Sequence, residues 1–223
     1  MQPAVCVIPA RGGSKRFPGK NLAEINGQTL LARAINTVQA AGVRDVIVST
    51  DCQEIGAEAY RCGARVSQRP EHLAGDDVET WDVLRHVVNR WDIDPDKSGR
   101  QVVALVQCTA PLMTASDVSR CVVRAAQLPR SLVVCCQRFT GAVIDQFGRP
   151  LTFTPRTTLG QQRGSQWQIA GSVWAFTTGR LWDQRQYEGH VQPVPADDNR
   201  HCDIDHRHNL EAAVAMLSVR SAA

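Results

Sequence analysis

A parallel, doubly wound α/β sheet is the fold class this sequence predicts, and three observations predict it. Short apolar runs rich in β-branched residues recur at residues 4–8, 45–50 and 101–107. Stretches of helical period lie between them. A loop with three glycines, two prolines and four cations leaves the first run, at the strand end where open α/β sheets bind phosphates.

The first run, Ala4-Val5-Cys6-Val7-Ile8, is too short for a helix and reads as a buried strand. Residues 28–41 place Leu30, Leu31, Ala34, Ile35, Val38 and Ala41 on one helical face, and Gly42 stops the helix. Residues 45–50 read as a second strand, ending at Asp51. Residues 53–62 read as a second helix closed by Gly63, and residues 65–67 as a short third strand. That β-α-β-α-β order is the one parallel sheets need. After a loop at 68–77, residues 79–91 form a helix with Val83, Leu84, Val87, Val88 and Trp91 on one face. Residues 92–100 are a polar loop, and 101–107 a strand. Residues 116–127 are a helix whose start carries Thr114 and Asp117 at capping-box spacing. Residues 131–136 are a strand.

Between residues 137 and 167 the periodicity breaks. A segment of that length inside a compact domain is functional or an interaction arm. Regularity returns with a strand at Val173-Trp174-Ala175-Phe176, a turn or short helix near Leu181, an edge strand at 191–195 and a closing helix at 209–219.

At 223 residues and 43% hydrophobic content the chain is expected to form one domain with an ample core. A net charge of +3 gives no global reason to expect nucleic-acid binding. No run of eighteen apolar residues occurs, so neither a membrane span nor a membrane partner is expected. The N-terminus reads as a strand rather than a signal peptide, and a cytoplasmic location is the default expectation. The eight cysteines include no C-x-x-C pair, and several sit inside apolar runs. They read as small core residues, not disulfides or zinc ligands.

The loop at residues 9–21 reads Pro-Ala-Arg-Gly-Gly-Ser-Lys-Arg-Phe-Pro-Gly-Lys-Asn. Its glycines let backbone N–H groups approach a ligand, and Arg11, Lys15, Arg16 and Lys20 favour an anionic one. No G-x-G-x-x-G is present. The P-loop pattern also fails, because five residues separate Gly13 from Gly19 and Asn21 follows Lys20.

Read from Ile8 to Leu22, this stretch resembles the signature of the acylneuraminate cytidylyltransferases and their relatives acting on pseudaminic, legionaminic and Kdo-type acids. The resemblance implies a Rossmann-like nucleotidyltransferase: a three-layer sandwich with a mixed, mainly parallel sheet and a small dimerisation arm at residues 138–170 that lines the sugar site. It implies a homodimer. It implies that Ala10, Arg11, Gly12, Gly13, Ser14, Lys15 and Lys20 wrap the CTP triphosphate, with Asn21 near the ribose.

Further stretches carry the same resemblance. Arg69-Pro70-Glu71-His72-Leu73-Ala74-Gly75-Asp76 is similar to an R-P-x-x-L-A-x-D segment. It implies that Arg69 contacts the cytosine edge, with Asp76 and Thr80 nearby. Gln107-Cys108-Thr109-Ala110-Pro111-Leu112 resembles Q-P-T-S-P-L, implying that Gln107 and Thr109 meet the acid sugar. Cys108 replaces Pro there, and Met113 replaces the Arg that follows. Ala170 stands where the family has Asn. Gln161-Gln162-Arg163 loosely resembles an R-R-Q segment, and Arg156 and Arg163 are candidates for a sugar carboxylate. Asp203-Ile204-Asp205 resembles the family's D-I-D. Residues two apart on an extended backbone face the same side, so Asp203 and Asp205 would share Mg²⁺ with phosphate oxygens.

Each stretch also has a plainer reading: a solvated basic loop, a strand-to-helix loop capped by Asp77, a proline turn, a cap for the last helix. His201, His206 and His208 are expected to be surface residues. Trp167, Trp174 and Trp182 are expected in packing or dimer contacts. The implied reaction is CTP plus an acidic α-keto sugar giving CMP-sugar and pyrophosphate, with Arg11, Lys20, Asp203 and Asp205 carrying catalysis. Two alternatives stay open: the same chemistry on a Kdo-type acid, a phosphonate or a sugar phosphate, and a non-catalytic nucleotide-binding homologue.

Overall fold

The structure, a computed structural model, describes residues 4–139, 145–147, 149, 166–183, 187–196 and 202–221. Its elements in chain order are β1 (Ala4–Pro9), β2 (Glu24–Ile25), β3 (Gln28–Thr29), α1 (Leu30–Ala40), β4 (Asp45–Thr50), α2 (Gln53–Arg61), β5 (Arg65–Gln68) and α3 (Thr80–Arg90). Then come β6 (Val102–Val106), α4 (Ala115–Gln127), β7 (Leu132–Phe139), β8 (Gln166–Thr177), α5 (Thr178–Asp183), β9 (Val191–Pro195) and α6 (Arg207–Ser221).

Seven strands form one mixed sheet in the order β5-β4-β1-β6-β8-β7-β9. Strands β5, β4, β1 and β6 run parallel to one another. β8 runs antiparallel to both β6 and β7, and β9 pairs parallel with β7 at the edge. The order reverses at β1, so the carboxyl ends of β1 and its neighbours frame a crevice.

Alternation along the central strands builds the layers. Cys6 and Ile8 of β1 pack with Leu31, Ile35 and Val38 of α1, Ile55 of α2 and Val118, Cys121 and Val122 of α4. Val5 and Val7 face the other way, onto Trp81, Leu84, Val87 and Val88 of α3 and Leu181 of α5. The result is helix, sheet, helix. A smaller cluster joins Phe17 of the basic loop to Ile25, Leu30, Ile204 and Ala213. It anchors that loop and α6 to the same base.

Three departures from the expected elements have plain causes. The first helix begins at Leu30, not residue 28, because β2 and β3 form a two-residue hairpin. Its turn is Asn26-Gly27, both at positive φ (53° and 74°), the conformation such turns require. Thr29 then caps α1, accepting from the Ala32 N–H at 3.0 Å. β8 starts at Gln166, earlier than the predicted residue 173, and β7 runs on to Phe139, past residue 136. Their added lengths pair with each other at Gln137↔Gln168 and Arg138↔Trp167. The capping box on α4 forms as expected, from Thr114 and Asp117.

Candidate functional site

The carboxyl ends of β1 and β6 open into a cleft of about 410 Å³, walled also by the turn after β5 and by the segment before α6. Of the residues picked out in the sequence, Arg11, Ser14, Lys15, Lys20, Asn21, Arg69, Asp76, Thr80, Gln107, Thr109, Asp203 and Asp205 all line it. They come from both ends of the chain.

The basic loop leaves β1 at Pro9. Its root is fixed by three bonds. The Ala10 N–H donates to the Ser49 carbonyl at 2.9 Å. The Gly12 N–H donates to Asp51 Oδ1 at 3.0 Å. The Asn21 side chain donates to the Arg11 carbonyl at 2.9 Å. Ala10 is fully buried and Gly12 does not line the cleft. These two residues therefore shape the loop in this state, since their N–H groups are taken within the protein. Gly12 has a steric reason to be glycine: a Cβ there would lie 2.8 Å from Cys52 Cβ. Gly13 lies in open space at the loop's surface.

Two carboxylates hold the loop's cations. Asp76 takes Arg11 at 2.6 Å and also pairs with Lys15. Lys15 and Arg11 together hold the Asp76 carboxyl below the usual carboxylate range. Asp205 takes Arg16 at 3.0 Å and Lys20 at 3.1 Å. Lys20 also donates to the Ile204 carbonyl at 3.3 Å. Asp76 thus faces the cations across the cleft. The helix that follows, α3, starts after Glu79, whose side chain makes no cap bond.

Arg69 is 6% exposed, and burial lowers its pKa. Its Nη2 donates to the Ser49 carbonyl at 2.8 Å and its Nε to Ser49 Oγ at 3.3 Å. One carbonyl on β4 therefore fixes both the loop root and Arg69. Thr80, the first residue of α3, stands beside them on the wall.

On the far wall, Gln107 follows β6, with its N–H bonded to the Ser172 carbonyl at 3.0 Å. The Thr109 carbonyl accepts from the Ile204 N–H at 2.9 Å. That bond brings Asp203-Ile204-Asp205 alongside the end of β6. Ile204 is fully buried, and Asp203 and Asp205 flank it on the cleft. The start of α6 is tied by Asn209, whose Oδ1 accepts from the N–H groups of Asp205 (3.2 Å) and His206 (2.8 Å). His206 and His208 are exposed and stack on each other.

Three positions depart from the family pattern that the sequence resembles: Cys108, Met113 and Ala170. All are buried in the same apolar cluster, with Val118, Cys121 and Val173. Trp174 is buried in the opposite cluster, while Trp167 and Trp182 are exposed. Arg156, Gln161, Gln162, Arg163 and His201 lie outside the described residues, as does most of the expected arm at 138–170.

Several contributors carry no sequence signal of their own. Asp51 is visible only as the residue ending a strand. Arg16 is legible only as one of the loop's cations, and its pairing with Asp205 follows from the fold. Gly171 has φ +64°, and a Cβ on it would sit 3.9 Å from Asp203 Oδ2 and 4.0 Å from Gln107 Oε1. Those are ordinary contacts, so it is the left-handed backbone that calls for glycine there.

A cytidylyltransferase family model matches residues 5–199. Pseudaminic acid cytidylyltransferase of Campylobacter jejuni subsp. jejuni serotype O:23/36 (strain 81-176) is 25% identical over 96% of both chains. 3-Deoxy-manno-octulosonate cytidylyltransferase of Sodalis glossinidius (strain morsitans) is 36% identical over 49% of this chain and 40% of its own. A solved structure of CMP:2-keto-3-deoxy-manno-octonic acid synthetase, complexed with CTP, superposes with a TM-score of 0.73 over 98% of this chain and 99% of that one, at 19% identity. That likeness is one of fold.

Proposed function

The chain belongs to the cytidylyltransferase family, and from that premise we propose that it transfers CMP from CTP to the anomeric hydroxyl of an acidic α-keto sugar, releasing pyrophosphate. The observation that carries the reading is the meeting in one cleft of the loop cations, Arg69 and the Asp203/Asp205 pair. The acceptor class is supported by a whole-chain relative named for a nonulosonic acid, whereas the octulosonate relative covers only about half of this chain.

In this reading the triphosphate replaces carboxylates as the partner of Arg11, Lys15 and Lys20. A close ion pair near a protein surface is worth on the order of 4 kcal/mol of Coulomb energy before desolvation, so three such exchanges suffice to orient the chain of phosphates. Arg69, already fixed by Ser49, offers its guanidinium donors to the O2 and N3 acceptors of cytosine. Gln107 and Thr109 hold the acid sugar. The anomeric hydroxyl gives up its proton to water as its oxygen attacks the α-phosphorus, the bond to the bridging oxygen breaks, and pyrophosphate leaves with its negative charge met by the loop cations.

Asp203 and Asp205 offer hard oxygen donors on the cleft wall. Two carboxylates plus phosphate oxygens are the usual Mg²⁺ set, so the residues fit that ion once Lys20 and Arg16 turn from Asp205 to the nucleotide. Bound there, Mg²⁺ would neutralise phosphate charge and make the acceptor hydroxyl easier to deprotonate. A homodimer is part of the proposal. The exposed Trp167 and Ile169 on β8, within the segment read as an arm, support it.

The buried Met113 and Ala170, where the resembling family has Arg and Asn, favour one second reading: the same CTP chemistry on a sugar phosphate or phosphonate. A pyrophosphate-release screen with CTP decides between them. Turnover with a nonulosonic acid is expected. Turnover with a sugar phosphate and with no nonulosonic acid would sink the first reading.

A further inference from the structure

Three stretches far apart in sequence meet beneath the basic loop: its own last residue, the residue two beyond the end of β6, and the Asp203–Asp205 segment. Asn21 sits at the junction and is 5% exposed. Its Nδ2 donates to the Arg11 carbonyl at 2.9 Å. Its Oδ1 accepts from the Cys108 thiol at 3.2 Å. The Arg11 carbonyl is purely an acceptor, so the amide must turn its nitrogen toward it. The amide oxygen then faces Cys108, which is 3% exposed. Burial pushes that thiol up to about 12, with Lys20 opposing and Asp203 adding to the shift. The group is an S–H donor throughout the physiological range.

We infer that Cys108 is a positioning residue for the nucleotide: its thiol seats the buried Asn21 amide oxygen, and the seated amide holds Arg11 at the root of the triphosphate loop. The inference rests on reading that loop as the CTP site. Without the S–H, the buried Asn21 oxygen loses this donor. The amide then loses one of its two anchors, and its bond to the Arg11 carbonyl weakens. On the other side of that peptide the Gly12 N–H is already pinned by Asp51, so the strain falls on Arg11. The Arg11 side chain spans the cleft to Asp76, and its aim follows the backbone. A proline at this place, as in the pattern the sequence resembles, would carry no donor.

The test is CTP binding by calorimetry to the full chain, with melting temperature read in parallel. Cys108→Ala is expected to weaken CTP binding about fivefold, the scale of one hydrogen bond. Cys108→Ser also loses the sulfur's volume but keeps an O–H donor, and is expected to bind within about twofold of the parent. In an Asn21→Ala background, Cys108→Ala is expected to cause no further loss, because the two residues act as one unit. The inference is overturned if Cys108→Ser binds as weakly as Cys108→Ala, if the loss persists in the Asn21→Ala background, or if Cys108→Ala binds as tightly as the parent. A parent chain that binds no CTP overturns the reading of the loop itself, and the inference with it. That result differs from a parent and variants that all bind alike.

Discussion

Around the cleft the loop cations are held by charge, while the positions that depart from the family pattern are held by packing. Arg11 and Lys15 hang on Asp76, and Arg16 and Lys20 on Asp205. Cys108, Met113 and Ala170, by contrast, are sealed into the core. Ion pairs between part-exposed groups can be exchanged for phosphate contacts at little cost, since each is worth little in water. A packed wall cannot be exchanged, because interiors are close-packed and respond to small changes in volume. Under the proposed function, the side taking the nucleotide would change partners on binding, and the side proposed for the acceptor would keep one shape. The three departures from the family pattern noted above all fall on the packed side.

The comparison can be broken by moving each kind of substitution to each wall. The largest effect is expected for Asp203→Ala, which should remove metal-dependent transfer by about a thousandfold in kcat/KM. Lys20→Ala should follow at about a hundredfold, the scale of losing one preorganised charge contact. Steady-state pyrophosphate release reads both, and circular dichroism checks that they fold. On the packed wall the same logic predicts a stability defect. Met113→Arg forces a guanidinium into the cluster around Val118 and Cys121, and should cost about 3 kcal/mol in chemical denaturation.

Smaller effects sharpen the contrast. Gly12→Ala brings a Cβ against the Cys52 Cβ, and neither atom is the end of a flexible side chain. The loop must shift, and KM for CTP should rise about tenfold with little change in melting temperature. The smallest effect concerns His86. Burial first, then Arg90, His72 and Arg69, lower its pKa below the ordinary 6.5. The folded state therefore binds fewer protons there than the unfolded one. The stability tied to a neutral His86 is present above pH 6.5 and is lost as the pH falls through that value toward the folded pKa. Melting temperature should decline between pH 7 and pH 5, and His86→Gln should flatten that segment of the curve.

Much of the fold could be read from the chain because the central strands are buried on both faces and show as unbroken apolar runs. Val102–Val106 is buried throughout and was legible as a strand. The first half of β8 was not, since Trp167, Gln168 and Ile169 are exposed and are ordered by pairing with β7. Asn26-Gly27 is a hairpin signal in the sequence, but Gln28 and Thr29 fit the helical period that starts at Leu30 as well as they fit a strand. In the site, Arg11, Lys20, Arg69 and the Asp203/Asp205 pair were legible by residue type and spacing. Asp51 was not, because its contact with Gly12 follows from the parallel register that sets Pro9 beside Ser49. Gly171 and the Cys108–Asn21 bond likewise depend on how β8 and the basic loop meet the end of β6.

Direct passage of CMP from CTP to a sugar hydroxyl leaves a signature in the phosphorus NMR of the product formed from CTP and a nonulosonic acid with Mg²⁺. One phosphodiester resonance is expected beside that of free pyrophosphate. A coupled pair of phosphorus signals, formed only with a phosphorylated acceptor, would contradict it.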